Sequence, residues 1–200
     1  MASRQPAVKQ PESFEISAAN VKKIKAIIAK YPKGKERSAV IPALDIVQRQ
    51  AEGWLPVPAM NAVADILNIT YIRVYEVASF YSMFNLEPVG TYFIQVCRTT
   101  PCWLRGSDKI TNKCKDKLNI EKNGTSKDGK FTLVEVECLG ACVNAPMVQI
   151  NDDYYEDITP EIMESIIDDL SNDKKVKIGT QIDRQNSAPV GGPTTLKEVK

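Results

Sequence analysis

The hydrophobic pattern divides the chain into a helical first part and a mixed second part. After Ser17, apolar residues recur at helical spacing on one face, and Pro32 and Gly34 end that run. The run predicts an amphipathic helix. A second helix with the same kind of apolar face is expected from near Ser38 until Gly53.

Two more helical runs, at 60–67 and 71–84, are joined by a three-residue turn and resemble a helix-turn-helix in outline. Between Trp54 and Leu86 the only basic residue is Arg73, which is too little positive charge to neutralise nucleic-acid phosphates. This charge pattern argues against DNA binding. The apolar and aromatic residues of 77–84 instead predict the core of a helix bundle or a patch that faces another subunit.

The period of the pattern changes to that of strands after residue 90. Short β-type runs at 91–96 and 131–136 end next to Cys97 and Cys138, and a helix is expected between them at 107–118. The turn residues around 123–124 and 128–129 predict a loop before the second strand. Each of the two strands therefore delivers a cysteine at its end.

The rest of the second part predicts a hairpin and a final helix. Runs at 147–150 and 154–158 flank an Asn-Asp-Asp turn, and Thr159 is placed to cap a helix that begins at Pro160. The order β-α-β-β-β-α fits a thioredoxin-like domain, so the predicted class is α+β. We expect an N-terminal helical domain at 12–86, a thioredoxin-like α/β domain at 90–172 and an extended C-terminal arm at 173–200, whose sequence has no periodicity.

Composition narrows the class of protein. The 26 basic and 25 acidic residues nearly cancel, so neither a general nucleic-acid binder nor a polybasic membrane-surface protein is indicated. No apolar run approaches the roughly 20 residues that a membrane helix needs. The first ten residues do not have the pattern of a secretory signal or of a mitochondrial presequence. Five cysteines are an odd number for a disulfide framework, so reduced thiols in the cytoplasm are expected.

Four cysteines in two pairs are the candidate metal ligands of the chain. Cys97 and Cys102 are separated by four residues, Cys138 and Cys142 by three, and the sequence has no histidine. Without histidine the site cannot be a Rieske centre or a mixed Cys/His zinc site. Structural zinc usually takes Cys-x2-Cys pairs, whereas two loops with wider gaps suit a binuclear iron–sulfur cluster, each loop serving one iron. Zinc and plain buried thiols remain the alternatives.

Other residues near the pairs have several interpretations. A thiol oxidoreductase would carry Cys-x2-Cys at a helix start. This chain lacks that motif, and Cys97 and Cys102 are too far apart in sequence for its geometry. Cys114 is expected inside a helix as a small hydrophobe. Arg98 and Arg105 are either cations beside a cluster or exposed surface residues. Three small residues are expected to let backbone N–H groups approach the sulfurs: Gly106, Gly140 and Ala141. The indole of Trp103 either shields the cluster or packs in the core.

Three ordered motifs carry a resemblance to a known family. They are 75–84 (YEVASFYSMF), 97–106 (CRTTPCWLRG) and 137–146 (ECLGACVNAP). Together they closely resemble the thioredoxin-like [2Fe-2S] subunit of respiratory complex I, the NADH:quinone oxidoreductase. The resemblance extends over nearly the whole chain, to the tail 189–196 (PVGGPTTL).

The resemblance implies a function and a set of ligands. Cys97, Cys102, Cys138 and Cys142 would ligate one [2Fe-2S] cluster, which exchanges electrons with FMN in a partner subunit that also binds NADH. The chain would thus be an electron-transfer subunit of a proton-translocating oxidoreductase. Consistent with NADH binding elsewhere, the chain has no glycine-rich dinucleotide loop.

The resemblance also implies partners and a location. The chain would join the peripheral arm of the complex on the cytoplasmic side of a bacterial inner membrane, with the mitochondrial matrix as the alternative, and its C-terminal arm would become ordered on the flavin-bearing partner. Two other functions stay open: a diaphorase subunit of a hydrogenase or formate dehydrogenase, and an interaction module that is stabilised by zinc on four cysteines and binds a partner protein.

Overall fold

The structure is a computed structural model that describes residues 5–192 and 194–195. The chain divides into two compact units at the junction between Val89 and Gly90. The last part of the predicted arm, residues 193 and 196–200, lies outside the described residues, as do residues 1–4.

The first unit is built from four α-helices around one apolar core. A short 3-10 turn, Glu36–Ala39, leads into the second helix. The core takes one face of each helix and includes Ile24, Leu44, Val63 and Val74, all fully buried. The helices are α1 (Ala18–Ile28), α2 (Val40–Gln50), α3 (Val57–Leu67) and α4 (Tyr71–Phe80).

The ends of these helices follow from local chemistry. The Ser17 hydroxyl accepts a hydrogen bond from the Asn20 N–H at 3.4 Å and caps α1, as a serine at this position is expected to do. Asn68 adopts a left-handed conformation with φ 52°, which ends α3. The prediction of a helix to residue 84 is wrong, because the backbone becomes extended at Tyr81 and turns there so that Phe84 is buried.

The second unit combines a mixed sheet with three helices. A 3-10 turn, Cys142–Asn144, interrupts the loop before β4. The strands are β1 (Tyr92–Cys97), β2 (Gly124–Thr125), β3 (Phe131–Val136), β4 (Met147–Ile150), β5 (Asp153–Glu156) and β6 (Gly179–Thr180). The helices are α5 (Thr100–Leu104), α6 (Ser107–Leu118) and α7 (Pro160–Ser171).

The sheet has the order β2-β3-β1-β4-β5-β6. Strands β1 and β3 pair in parallel, while β4 runs antiparallel to β1 and forms the predicted hairpin with β5. In the parallel pair Cys97 lies opposite Val136. Because parallel strands end at the same edge of a sheet, the loops that carry the four paired cysteines leave from one edge.

The core of the second unit packs α6 and α7 against the sheet. Fully buried side chains include Ile94 and Leu133 from the sheet, Ile110 from α6 and Met163 from α7. Cys114 belongs to the same core and is 0% exposed, which confirms its predicted role as a small hydrophobe. The Thr159 hydroxyl accepts a hydrogen bond from the Ile162 N–H at 3.2 Å and caps α7 as predicted.

Three short elements of this unit differ from the sequence-based expectation. Helix α5 and strand β2 lie where loops were expected. Strand β6 lies inside the predicted arm and pairs in parallel with β5. The expectation that the arm becomes ordered only on a partner is therefore wrong for this stretch, because its backbone already bonds to the chain's own sheet.

The backbone at Gly90 packs closely against the start of β3, and a substitution at Gly90 tests this packing. A Cβ at this position would lie 2.8 Å from backbone atoms of Lys130 and Phe131, which cannot move without disturbing β3. We expect Gly90→Ala to lower the free energy of unfolding by about 1–3 kcal/mol, the usual effect of an overpacked core. Urea unfolding followed by circular dichroism measures this change.

The matched control for that substitution is Gly191→Ala, because a Cβ on Gly191 meets open space and its backbone is not left-handed. An equal loss of stability in both variants would contradict the close approach of Gly90 to β3.

Candidate metal centre

The first cysteine loop turns back on itself directly after β1. Cys97 ends the strand, and α5 begins three residues later with Pro101 near its start and Cys102 in its first turn. Both cysteines are only 1% exposed, and their thiols lie within hydrogen-bonding reach of each other. The short helix folds the chain back, which brings the two thiols together despite the four intervening residues.

The second cysteine loop lies at the surface. Cys138 and Cys142 are exposed, and their Sγ atoms are 3.5 Å apart. Gly140 has φ 86°, and its N–H donates to Cys138 Sγ at 3.4 Å, so the predicted amide donor at this glycine is confirmed. Two sulfurs bound to one tetrahedral metal at about 2.3 Å would be about 3.8 Å apart, close to the separation of this pair.

The two loops meet. The Thr99 hydroxyl lies 3.4 Å from Cys97 Sγ and also reaches Cys138, and the backbone N–H of Leu139 reaches Cys97. Cys142 interacts electrostatically with the thiols of both Cys97 and Cys102. The structure therefore places the two pairs of predicted ligands on neighbouring loops at one edge of the sheet.

Each loop holds two thiols with opposite pKa shifts. Burial opposes ionisation of Cys97, but the hydroxyl and N–H of Thr99 outweigh it and lower the pKa of that thiol. In the second loop the Gly140 N–H lowers the pKa of Cys138. Burial raises the pKa of Cys102 to about 12, and the hydrogen bond with Cys138 raises the pKa of Cys142. One thiol of each pair is therefore favoured as the thiolate, the form that binds metal.

The donor set consists of thiols arranged as two pairs on two loops. Within residues 5–192 and 194–195, no three His, Cys, Asp or Glu side chains converge closely enough to hold a single ion. The sulfurs of Cys138 and Cys142 are 3.5 Å apart, and the thiols of Cys97 and Cys102 also interact with each other. Thiolates are the ligands that iron–sulfur clusters use, so these residues fit such a cluster.

The other predicted neighbours divide into exposed residues and turn residues. Arg98 forms a surface ion pair with Glu137 at 3.3 Å, which favours its interpretation as a surface residue. Trp103 is 55% exposed, so the prediction that it packs in the core is wrong. Gly106 donates its N–H to the carbonyl of Trp103 at 2.9 Å and not to a sulfur, so it is a turn residue before α6.

Sequence reasoning missed two residues that shape the site. Thr99 contacts sulfurs of both loops, and Tyr154 donates its hydroxyl to the carbonyl of Leu139 at 2.8 Å, which fixes the second loop on β5. The Thr-Thr-Pro-Cys sequence at 99–102 has the signature of a helix start and is the signal that identifies Thr99. Tyr154 has no such signal, since its partner lies 15 residues away.

A thioredoxin-type sheet that carries four thiols on two loops at one edge defines a cluster-binding ferredoxin of the thioredoxin class. The family model for the thioredoxin-like [2Fe-2S] ferredoxins matches residues 24–171, and the chain belongs to that family. This membership confirms the predicted α+β class, the predicted [2Fe-2S] cofactor and the resemblance found in the sequence motifs.

Several relatives are similar over most of the chain. The E subunit of the NADH-quinone oxidoreductase of Rickettsia bellii is 61% identical over 161 residues, which are 80% of this chain and 96% of that protein. The mitochondrial NADH dehydrogenase [ubiquinone] flavoprotein 2 of Dictyostelium discoideum is 51% identical over 185 residues, 92% of this chain and 75% of that protein.

Among solved structures, an NAD+-reducing [NiFe]-hydrogenase shares the fold, with a TM-score of 0.59 and 19% identity. The match covers 67% of this chain and 23% of the hydrogenase chain. The assignment of individual cysteines as ligands stays a prediction.

Replacing the cysteines one at a time tests that assignment. Serine at position 97, 102, 138 or 142 should abolish or strongly alter the visible absorption of the cluster, because an alkoxide is a poor substitute for a thiolate on iron. Cys114→Ser should keep the spectrum, since Cys114 lies in the core. It should nevertheless lower the free energy of unfolding by about 1–3 kcal/mol, because its hydroxyl enters an apolar site.

Cys114→Ala is the matched control for the core position, because it removes the sulfur without adding a polar group. Loss of the cluster in both variants at position 114, with retention in a variant of one of the paired cysteines, would show that the ligands are assigned incorrectly.

Proposed function

We propose that the chain is the electron-transfer subunit of a proton-translocating NADH:quinone oxidoreductase, with Cys97, Cys102, Cys138 and Cys142 as the ligands of one [2Fe-2S] cluster. The observation that supports this proposal is the placement of two thiol pairs on neighbouring loops at one sheet edge. It occurs in a chain that is 61% identical to the E subunit of an NADH-quinone oxidoreductase.

When bound, the cluster supplies one-electron redox chemistry. The residues around the sulfurs set how readily an electron is accepted. The Gly140 N–H and the Thr99 hydroxyl direct positive dipole ends at sulfur, which favours the more negative reduced state. Burial of Cys97 and Cys102 acts in the opposite direction, because extra negative charge is costly in an apolar environment.

Electrons would enter or leave on the side of Cys138 and Cys142, which are the exposed ligands. Three large apolar side chains next to the cysteines in sequence are also exposed: Trp103 by 55%, Leu104 by 70% and Val143 by 70%. Exposed apolar side chains next to polar ones are typical of surfaces that another protein covers. We infer that the partner subunit with FMN and the NADH site docks on this surface and exchanges electrons with the cluster there.

The helical unit offers a second surface for assembly. Helix α4 and the turn after it expose Tyr71, Ile72, Phe80 and Met83, of which Phe80 is 78% exposed. We infer that these exposed side chains and the C-terminal arm contact the flavoprotein subunit or the rest of the peripheral arm of the complex. No nucleic acid is expected as a partner.

The proposed location of the chain in the cell follows from the complex to which we assign it. No helix among the described residues is long and apolar enough to cross a membrane. We propose that the chain is held at the cytoplasmic face of a bacterial inner membrane through its partner subunits. The mitochondrial relative makes the matrix side of the mitochondrial inner membrane the alternative.

A diaphorase subunit of a hydrogenase is the second candidate, because an NAD+-reducing hydrogenase shares the fold. At 19% identity that likeness supports the fold and not the function. Isolation of the native complex separates the candidates: quinone reduction by NADH is expected for the first, and hydrogen-dependent reduction of NAD+ for the second.

Analysis of the bound cofactor tests the cluster type in this chain. Anaerobically purified protein should contain two irons and two acid-labile sulfides, because two thiol pairs serve two irons. The dithionite-reduced protein should give an S = 1/2 EPR signal. A colourless protein that holds one zinc per chain after anaerobic reconstitution with iron and sulfide would support the zinc-stabilised interaction module instead.

The absence of a dinucleotide loop predicts where NADH reacts. The isolated chain should neither bind NADH tightly nor oxidise it, whereas the chain joined to its flavin-bearing subunit should transfer electrons from NADH to ferricyanide. Isothermal titration calorimetry of the chain alone and steady-state kinetics of the assembly measure the two halves of this prediction. Stoichiometric NADH binding by the chain alone would contradict the assignment of the NADH site to the partner.

A further inference from the structure

The C-terminal segment carries a buried ion pair next to the second cysteine loop. Arg184 Nη1 lies 3.3 Å from Asp157 Oδ1, and the side chains of Arg184 and Asp157 are 6% and 7% exposed. The hydroxyl of Thr180, in β6, also donates to Asp157 at 2.6 Å. Because two buried charges need each other, this segment is fixed on the second unit, although its sequence has no periodicity.

The same arginine contacts the turn that follows Cys142. Arg184 Nη2 donates to Asn144 Oδ1 at 2.9 Å, and Asn144 Nδ2 donates to Glu156 and to the carbonyl of Asn186. Asn144 is 1% exposed. A buried amide needs all of its hydrogen bonds, and here Arg184 supplies the donor for its oxygen.

Asn144 in turn fixes the position of the cysteine turn. It belongs to the 3-10 turn Cys142–Asn144, its N–H donates to the carbonyl of Ala141 at 3.0 Å, and its carbonyl accepts from the Asp157 N–H at 2.8 Å. Cys142 itself is exposed, so burial does not hold its side chain. Its orientation therefore depends on the turn, and the turn is anchored through Asn144.

We propose that Arg184 is a positioning residue for Cys142: it holds the Cys142–Asn144 turn in the geometry that presents the thiol to the cluster. This inference rests on the proposed role of Cys142 as a ligand. The guanidinium is suited to the task because its planar donors reach three acceptors at once. Besides Asp157 and Asn144, Nε donates to the carbonyl of Asn186 at 3.1 Å.

The position of Arg184 explains why lysine would not replace it. A lysine ammonium at position 184 would keep the positive charge next to Asp157, but it has no planar fork with which to bond Asn144 at the same time. The two parts of the role, charge neutralisation and anchoring of the turn, are therefore separable by substitution.

The experiment compares Arg184→Gln and Arg184→Lys with Lys175→Gln in the full chain. Lys175 is exposed on the same segment, so its substitution removes the same charge without touching the network. Three quantities are measured: the rate at which an iron chelator removes the cluster, the amide hydrogen exchange of residues 141–145 in the protein without cluster, and the midpoint of urea unfolding.

Arg184→Gln should lose its cluster about ten- to a hundredfold faster than the parent, the usual effect of removing a residue that supports a metal ligand. Arg184→Lys should unfold at nearly the parent urea concentration yet lose the cluster nearly as fast as Arg184→Gln. In both variants amide exchange of 141–145 should be faster, whereas Lys175→Gln should match the parent in all three measurements.

Asn144→Ala supplies a second route to the same test. If Arg184 acts through Asn144, the double variant Arg184→Lys with Asn144→Ala should lose its cluster no faster than Asn144→Ala alone. Additive effects of the two substitutions would overturn the proposal. It would also be overturned if Arg184→Lys retained the cluster as well as the parent, since the arginine would then only neutralise Asp157.

The amide exchange data separate this proposal from the ligand assignment. Faster exchange at 141–145 in the arginine variants supports the anchoring of the turn, whatever binds there. If Cys142→Ser kept a normal cluster while exchange still increased in the arginine variants, the proposed ligand set would fail and the anchoring would stand. Unchanged exchange in both arginine variants would refute the anchoring itself.

Discussion

The parallel pairing of β1 with β3 is the constraint on which the metal centre depends. The two strands are separated by more than thirty residues in sequence, and their register places Cys97 opposite Val136. Both cysteine loops therefore start from the same edge of the sheet. A slip of one residue in this pairing would turn the side chains of one strand to the opposite face and separate the two loops, and the buried faces of Ile94 and Leu133 prevent such a slip.

The environment of the site differs between its two halves. The first pair of thiols is buried and packs with Ala145 and Met147, whereas the second pair lies at the surface on a loop. A cofactor held this way is shielded from one side and open to another protein on the other. This asymmetry suits a one-electron carrier, which has to exchange electrons with a partner while limiting contact with solvent and oxidants.

Most of the fold follows from short-range patterns that the sequence displays. Sequence patterns predicted α6, α7, β1 and β3, and each of these elements buries one face in the core. The short elements were not predictable in this way: β2 and β6 have two residues each, too few to show a period, and α5 has five. The end of α4 was placed too late because Phe84 continues the apolar pattern after the backbone has already turned away.

The candidate ligands were recognisable from the sequence, but their surroundings were only partly so. Residue type and spacing identified the four cysteines, and a glycine between two of them indicated a backbone donor. The polar network of Arg184, Asp157 and Asn144 joins residues 27 and 40 positions apart, and its members look like ordinary surface residues in the sequence. Tertiary contacts decide which polar residues are buried, so single-sequence patterns carry little information about them.

The two shortest strands, β2 and β6, lie at the two ends of the sheet. A β-sheet with a long open edge offers unpaired N–H and carbonyl groups to any other extended chain, including a second copy. Here β2 pairs with Thr132 and Leu133 of β3, and β6 pairs with Tyr155 and Glu156 of β5, so each end of the sheet finishes in a strand of only two residues. End strands this short offer few unpaired backbone groups, which limits edge-to-edge aggregation of the chain.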